Sequence, residues 1–364
     1  MTLPILREMT PFGRVVVIIT LAVSLFGIAM EYLLHIEGTP LFLVSAAAIL
    51  GLAYMVGQAT ERIGGLTGPQ VGGILNATFG NIAELIIAFF ALQAGLFEVV
   101  KASITGSIIG NLLLVLGASL LFGGLKNGQQ RFNARLAGID ATLLVLAVIG
   151  LFIPAVFALS GRRGGETPGQ LEESFVVSVV LVILYFVALF YRFRHPAEVL
   201  GGQEPEGHAG PHWSARMAIG VLAASAVLLA VLSESLVGAV EPFIEDFGLT
   251  TFFVGVILIP TIGNLAEHLV AVQLAVKNRM DFAMAVSIGS SLQVALFVAP
   301  MLVFAGLLIG QPMDLVFQPL EVAAVGAAAA IAALMALDGE SNWLEGALLL
   351  GVYAILAVSF FYLQ

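Results

Sequence analysis

Residues 78–90, TFGNIAELIIAFF, and residues 261–273, TIGNLAEHLVAVQ, share one five-residue frame: Gly80-Asn81-Ile82-Ala83-Glu84 and Gly263-Asn264-Leu265-Ala266-Glu267. The offset is 183 residues, and it holds without gaps on both sides of the frame. Gly72 matches Gly255, Thr78 matches Thr261, Ala88 matches Ala271, Glu98 matches Asp281, and Gly106-Ser107 matches Gly289-Ser290. Two apolar helices would share a few Ala or Leu by chance, but not this set of polar positions together. The chain therefore reads as an internal duplication with a carboxylate at the centre of each copy.

The setting of that carboxylate follows from composition. Of 364 residues, 60% are hydrophobic and only 10% charged, whereas soluble domains carry about a quarter charged residues. The reading is an all-α polytopic membrane protein. Cysteine is absent, which excludes disulfide frameworks, thiol nucleophiles and Cys-ligated zinc or iron–sulfur centres. A net charge of −10 argues against a nucleic-acid partner. A spanning helix needs about 20 mostly apolar residues. Dividing the chain at charges and turn residues gives about eleven transmembrane helices, at 14–34, 40–60, 68–96, 98–122, 135–159, 173–193, 214–240, 248–277, 281–308, 314–337 and 342–363.

The repeat offset equals five of these spans. An odd repeat inserts its second copy upside down, so the fold class expected is two inverted five-helix repeats plus an extra N-terminal helix. The boundaries are 1–38 for the extra helix, 39–194 for the first repeat, 195–212 for a cytoplasmic linker and 213–364 for the second, inverted repeat. Placing the N-terminus in the cytoplasm puts eleven of the fourteen Lys and Arg on that side, as the positive-inside rule requires, and leaves the C-terminus outside. The expected location is a multi-pass integral protein of a prokaryotic inner or plasma membrane. The polar connection from His195 to Pro211 reads as a solvated linker rather than a cation sensor.

Glu84 precedes Glu98 by 14 residues, and Glu267 precedes Asp281 by the same interval. At 1.5 Å per residue each carboxylate lies about 20 Å from its acidic end marker, near the middle of the bilayer. Gly72, Gly73 and Gly80 in the third span, and Pro260 and Gly263 in the eighth, predict that both helices break close to the motif, freeing backbone carbonyls. An ionised carboxylate at that depth is costly and is a functional candidate by default. Two of them can face one divalent cation or two protons. A cation such as calcium takes six to eight oxygens. Further oxygens come from Asn81 and Asn264 beside the carboxylates, from Ser107 and Asn111 four apart on the fourth span, and from Ser290 and Gln293 three apart on the ninth. His268, next to Glu267, is a hydrogen-bond partner or proton relay, or else a packing histidine. Glu31, Asp140, Glu234, Glu241 and Glu321 lie nearer predicted span ends and read as interfacial. Protons and a divalent cation would compete for the same oxygens, and competition of that kind couples their movements.

Gly68 to Phe90, GPQVGGILNATFGNIAELIIAFF, and Pro260 to Pro300, with GNLAEH and SIGSSLQVALFVAP, resemble the two repeat motifs of the calcium/proton (cation/proton) exchanger family of the calcium/cation antiporter superfamily. The resemblance implies an eleven-helix inverted-repeat antiporter, not an enzyme, that exports Ca2+ in exchange for H+. It implies Glu84 and Glu267 as the ion- and proton-binding pair, with Asn81, Asn264, Ser107, Ser290 and Gln293 in support. No cofactor is expected, only transported Ca2+ and H+ within a lipid bilayer, and a homo-oligomer is compatible with the reading. Sodium- or potassium-coupled relatives typically carry Pro before the motif Glu; here Ala83 and Ala266 stand there, which favours protons. Antiport of Mn2+, Na+ or K+ against protons uses the same oxygen ligands and stays open. An intramembrane hydrolase would need a paired-Asp or Ser/His arrangement that the sequence does not offer, and a channel would conduct without proton dependence.

Overall fold

The structure is a computed structural model and describes residues 9–67, 75, 78–161, 169–194 and 213–363. The linker expected at 195–212 lies outside the described residues. Among those described, nine helices are long and apolar enough to cross a membrane: Pro11–Tyr32, Thr39–Thr67, Phe97–Asn127, Ala134–Leu159, Gln170–Arg192, Ala215–Gly238, Thr251–Val276, Met280–Ile309 and Trp343–Tyr362. Ile82–Gln93 and Pro319–Met335 are shorter apolar helices. Each of the eleven expected spans thus contains one of these helices. They are numbered here from the first to the eleventh in chain order. The fold is all-α and polytopic.

Local chemistry sets several span ends. The Thr10 hydroxyl accepts from Gly13 N at the start of the first span, and Pro11 occupies its first turn, where the missing N–H costs nothing. Ser214 accepts from Met217 N at the start of the seventh. Asn342 and Glu345 form a reciprocal capping box on the eleventh, with Asn342 Oδ1 accepting from Leu344 N and Glu345 N.

The chain divides into two compact units. The first comprises Met1–Ala94, Leu200–Leu249 and Ile262–Ala266, so it holds the first, second, third and seventh spans. Its helices approach closely at small residues, as membrane helices do. A Cβ on Gly27 would meet Leu232 at 3.0 Å and Val44 at 3.3 Å, and one on Gly51 would overlap the Thr20 side chain. At one end Phe42 stacks on Phe243 with centroids 4.0 Å apart, and Thr39 Oγ1 donates to Asp246 Oδ2 at 2.6 Å. The loop after the first span and the loop after the seventh therefore lie on one side, as an even separation of six spans requires.

The second unit comprises Gly95–Val199, Thr250–Thr261 and Glu267–Gln364. Two polar clusters mark its opposite ends. At one, the strands β1, Gln130–Arg131, and β2, Glu340–Ser341, pair antiparallel. There Gln130 Nε2 donates to Ala275 O at 2.8 Å and Asn278 Oδ1 at 2.9 Å, and Asp281 accepts from Asn133 N at 2.5 Å. At the other, Lys101 pairs with Asp314 and donates to Val316 O at 3.0 Å, while Gln170 Nε2 donates to Asp314 Oδ2 at 2.7 Å. The C-terminal end of the fourth span therefore meets the N-terminal end of the ninth, and its N-terminal end meets the segment that follows the ninth. These two spans are repeat mates, and they run antiparallel. Between the clusters, Ser291 Oγ donates to Ile108 O at 3.3 Å across a separation of 183 residues, so a residue touches its own repeat mate on the pseudo-two-fold axis.

The units are not the repeats. Each unit takes spans from both copies, because contacts cluster by packing neighbours while the repeats follow sequence order.

Candidate functional site

The two motifs fold differently. In the third span the chain turns at Gly80 and Asn81. Asn81 is the N-cap residue (φ −99°, ψ 25°) of the helix Ile82–Gln93, which places Glu84 in its first turn, where the helix dipole favours a carboxylate. That is the expected break. The eighth span corrects the expectation for the second copy. Residues Ile259–Val276 form one α-helix that runs through Gly263 and Glu267. The irregularity lies upstream, as a π-helical segment over Val254–Leu258. Pro260 donates no backbone hydrogen bond, and the wider register just ahead of it absorbs the missing donor without a break. The Thr261 hydroxyl, on the next residue, donates to Ile257 O at 2.6 Å.

Two more π-helical segments occupy Gly110–Val115 and Val294–Val298. They stand at matching positions of the two copies; the first contains Asn111 and the second follows Gln293. Pro300 follows the second as Pro260 follows Val254–Leu258, and Gly117 holds the corresponding place in the first copy.

In the first unit, Asn81, Glu84 and Asn264 are buried. The Glu84 side chain lies over Gly263. A Cβ on Gly263 would stand 3.0 Å from Glu84 Cγ and 3.3 Å from Cδ, so the seat for this carboxylate exists because the residue is glycine. In the second unit, Ser107, Asn111 and Ser290 are buried, while Glu267 and Gln293 are half-buried. Ser290 Oγ donates to Glu267 Oε2 at 2.7 Å, a charge-assisted bond when the carboxylate is ionised. His268 is buried, and its Nε2 has no hydrogen-bond partner among the described residues. No three His, Asp or Glu side chains converge on a metal-sized point among the described residues.

The fourth span, which carries Ser107 and Asn111, packs closely on the eighth. A Cβ on Gly106 would overlap the Val256 carbonyl oxygen and stand 2.6 Å from Pro260 Cγ, and one on Gly255 would stand 2.6 Å from the Ala102 Cβ. Gly106 and Gly255, both members of the matched set, are thus the crossing point of these helices in the second unit.

Glu321, at the end of its span, is packed within the protein rather than exposed there. It is 2% exposed, at the third position of the tenth span, and closes a capping box with Gln318. Its Oε2 accepts from Gln318 N at 2.7 Å, and its Oε1 accepts from the Thr105 hydroxyl of the fourth span at 2.9 Å. The local sequence Gln318-Pro319-Leu320-Glu321 carries the cap signature, with Pro in the first turn and Glu three residues after the cap. The partnership with Thr105 has no local signal.

A family model described as sodium/calcium exchanger protein matches residues 37–194 and 217–362. The chain is 43% identical over 360 residues to a protein of Aphanothece halophytica named Ca(2+)/H(+) antiporter, covering 93% of this chain and 94% of that one. It is 41% identical over 335 residues to Ca(2+)/H(+) antiporter ChaA of Bacillus subtilis, covering 91% and 94%. Among solved structures, the Ca2+/H+ antiporter protein YfkE matches with a TM-score of 0.82 at 38% identity, covering 96% of this chain and all of that one. The H+/Ca2+ exchanger CAX shares the fold, with a TM-score of 0.73 at 15% identity over 96% and 93%. Two matched carboxylate motifs, a pair of antiparallel repeat mates and a family match over most of the chain converge, and the chain belongs to the sodium/calcium exchanger protein family.

Proposed function

We propose that this chain is a secondary antiporter that exports Ca2+ from the cytoplasm in exchange for H+, by alternating access at one site that Glu84 and Glu267 share near the membrane midplane. The observation that carries this reading is the carboxylate repeated in one frame and supported in each copy. Glu84 is seated on Gly263, four residues before Glu267 in a single helix, and Glu267 is held by Ser290. Relatives at 41–44% identity, all named Ca(2+)/H(+) antiporter, support the choice of ions.

In this reading Ca2+ is cargo. The two carboxylates neutralise it, and Asn81, Asn264, Ser107, Asn111, Ser290 and Gln293 complete its oxygen shell. When the cation leaves, each carboxylate takes up a proton, because two bare charges in a low-dielectric site repel each other. His268, adjoining Glu267, passes or steadies that proton. Exchange follows if the calcium-loaded and doubly protonated forms reorient and the empty charged form does not.

The test is calcium uptake into everted or reconstituted vesicles under an imposed proton gradient. Wild type is expected to take up calcium, and Glu84→Gln and Glu267→Gln are each expected to lose uptake, since Gln keeps the size and removes charge and titration. Normal exchange in both variants would overturn the shared site. Uptake that responds only to a sodium or potassium gradient would overturn the proton coupling.

A further inference from the structure

The fourth span presents three faces. Val99, Ala102 and Gly106 face the eighth span. Ser107 and Asn111 are the candidate ligands. Glu98, Lys101 and Thr105 form a third stripe at spacings of three and four, and this stripe is held by the segment and helix that follow the ninth span. Lys101 pairs with Asp314 and donates to Val316 O, Gln318 Nε2 lies 3.5 Å from Glu98 Oε1, and the Thr105 hydroxyl donates to the buried Glu321.

This arrangement exists in one copy only. The repeat mates of Lys101 and Thr105 are Met284 and Ile288, and in the following helix of the first copy, which Asn133 caps as Gln318 caps the tenth span, Leu136 stands at the position of Glu321. Methionine at the place of Lys101 makes no ion pair, and isoleucine and leucine at the places of Thr105 and Glu321 make no hydroxyl–carboxylate bond. The end contacts, by contrast, are kept in both copies: Asp281, the mate of Glu98, accepts from Asn133 N. The duplication is therefore symmetric at its span ends and asymmetric one to two turns further in, at Thr105, two residues before Ser107.

We propose that Glu321 is a positioning residue for exchange: through Thr105 it fixes the half of the fourth span that carries Ser107 and Asn111, in one repeat and not in the other. A carboxylate with both oxygens engaged, one by its own helix cap and one by the neighbouring helix, couples the tenth span rigidly to the fourth. The π-helical segment that begins at Gly110 then starts from an anchored helix, whereas its mate at Val294 follows a helix without that anchor. The inference rests on the exchange reading, since positioning matters only if Ser107 and Asn111 serve a transported cation.

Thr105→Val replaces the hydroxyl with a methyl of similar size, and the Thr105–Glu321 pair lines a small cavity with Ile108, Phe152 and Phe317. Hydrogen–deuterium exchange of the purified full chain, read over 107–115 and over the mate segment 290–298, is combined with calcium uptake in vesicles. Thr105→Val and Glu321→Gln are each expected to speed exchange in 107–115 and leave 290–298 unchanged. Each is expected to raise the KM for calcium by about threefold to tenfold, the range for one lost hydrogen bond, with the maximal rate within about twofold. Thr105→Ser is expected to restore both readouts, and the double variant to be no worse than either single one. An unchanged KM in Thr105→Val would leave a packing contact only and overturn the proposal. So would parallel loosening of both segments, or a Thr105→Ser variant as impaired as Thr105→Val. If Glu321→Gln fails to fold, the Thr105 pair decides alone. Wild-type vesicles that move calcium only on a sodium gradient would refute the proton reading, and the same KM comparison under sodium would then judge the clamp.

Discussion

Gly106 and Gly263 show how much of this molecule depends on a missing side chain. Gly106 lets the Val256 carbonyl of the eighth span come to the backbone of the fourth, and Gly263 leaves room for the Glu84 side chain. Gly106 is legible in the sequence as one of a matched set, but its role is not, because a sequence comparison reports that a glycine recurs and not what passes over it. The contact predicts a difference between glycines. Gly106→Ala places a methyl inside a backbone oxygen and against Pro260, neither of which is a flexible chain end, so a loss of about 1–3 kcal/mol is expected, the usual cost of overpacking. Gly220, in the seventh span, is exposed, and a Cβ added there would have no neighbour within 4 Å; Gly220→Ala is expected to be neutral or to stabilise by up to about 1 kcal/mol through helix propensity. Thermal unfolding of both variants in one detergent reads the contrast, and equal melting temperatures would show that the crossing at Gly106 is looser than described.

At the scale of elements, the spans are legible in the sequence and their internal register is not. Hydropathy locates a run of apolar residues, and each of its eleven runs overlaps an apolar helix among the described residues, but one extra residue in a helical turn changes no average. The repeat comparison is blind to the π-helical segments for a further reason: Gly110–Val115 and Val294–Val298 occupy matching positions, so the two copies align without a gap. Pro260 and Pro300, each two residues beyond such a segment, are the available signal, and Pro260 reads as a break because a lost donor usually ends a helix. Connections between elements show a second division, between buried and exposed polar contacts. Gln130 is 1% exposed and ties β1 to the end of the eighth span, whereas Arg131 pairs with Glu340 at the surface. Gln130→Leu would leave the Ala275 carbonyl and the Asn278 amide oxygen without this donor, and a loss of about 1–3 kcal/mol is expected. Arg131→Ala removes an exposed pair, expected to matter by less than about 1 kcal/mol. Denaturation of the two variants side by side checks the order, which would be reversed if the surface pair carried the connection.

For the whole molecule, inversion follows from the sequence by arithmetic: five spans per repeat, hence opposite insertion. The structure supplies an independent geometric reason within the second unit. The loop after the fourth span meets the loops after the eighth and tenth, while Glu98 and Lys101 at the other end of the fourth meet the segment after the ninth. Eleven spans satisfy these pairings, and a miscount by one inside the second unit would bring loops from opposite faces together. What no sequence reading could supply is the asymmetry between the copies, because it depends on Thr105 and Glu321, which are 216 residues apart and share no motif. The native chain has no cysteine, so single-cysteine labelling tests the topology without background. Gln129→Cys and Glu340→Cys, in the cluster around β1 and β2, are expected to react with a membrane-impermeant maleimide from one face. Glu98→Cys and Gln318→Cys are expected to react only from the other. The distribution of Lys and Arg assigns the first pair to the cytoplasm, so they should label in everted vesicles and stay protected in intact cells, with the second pair behaving oppositely. Labelling of all four from one face would remove the inverted arrangement and, with it, the reason for two carboxylates of opposite approach to serve a single cation.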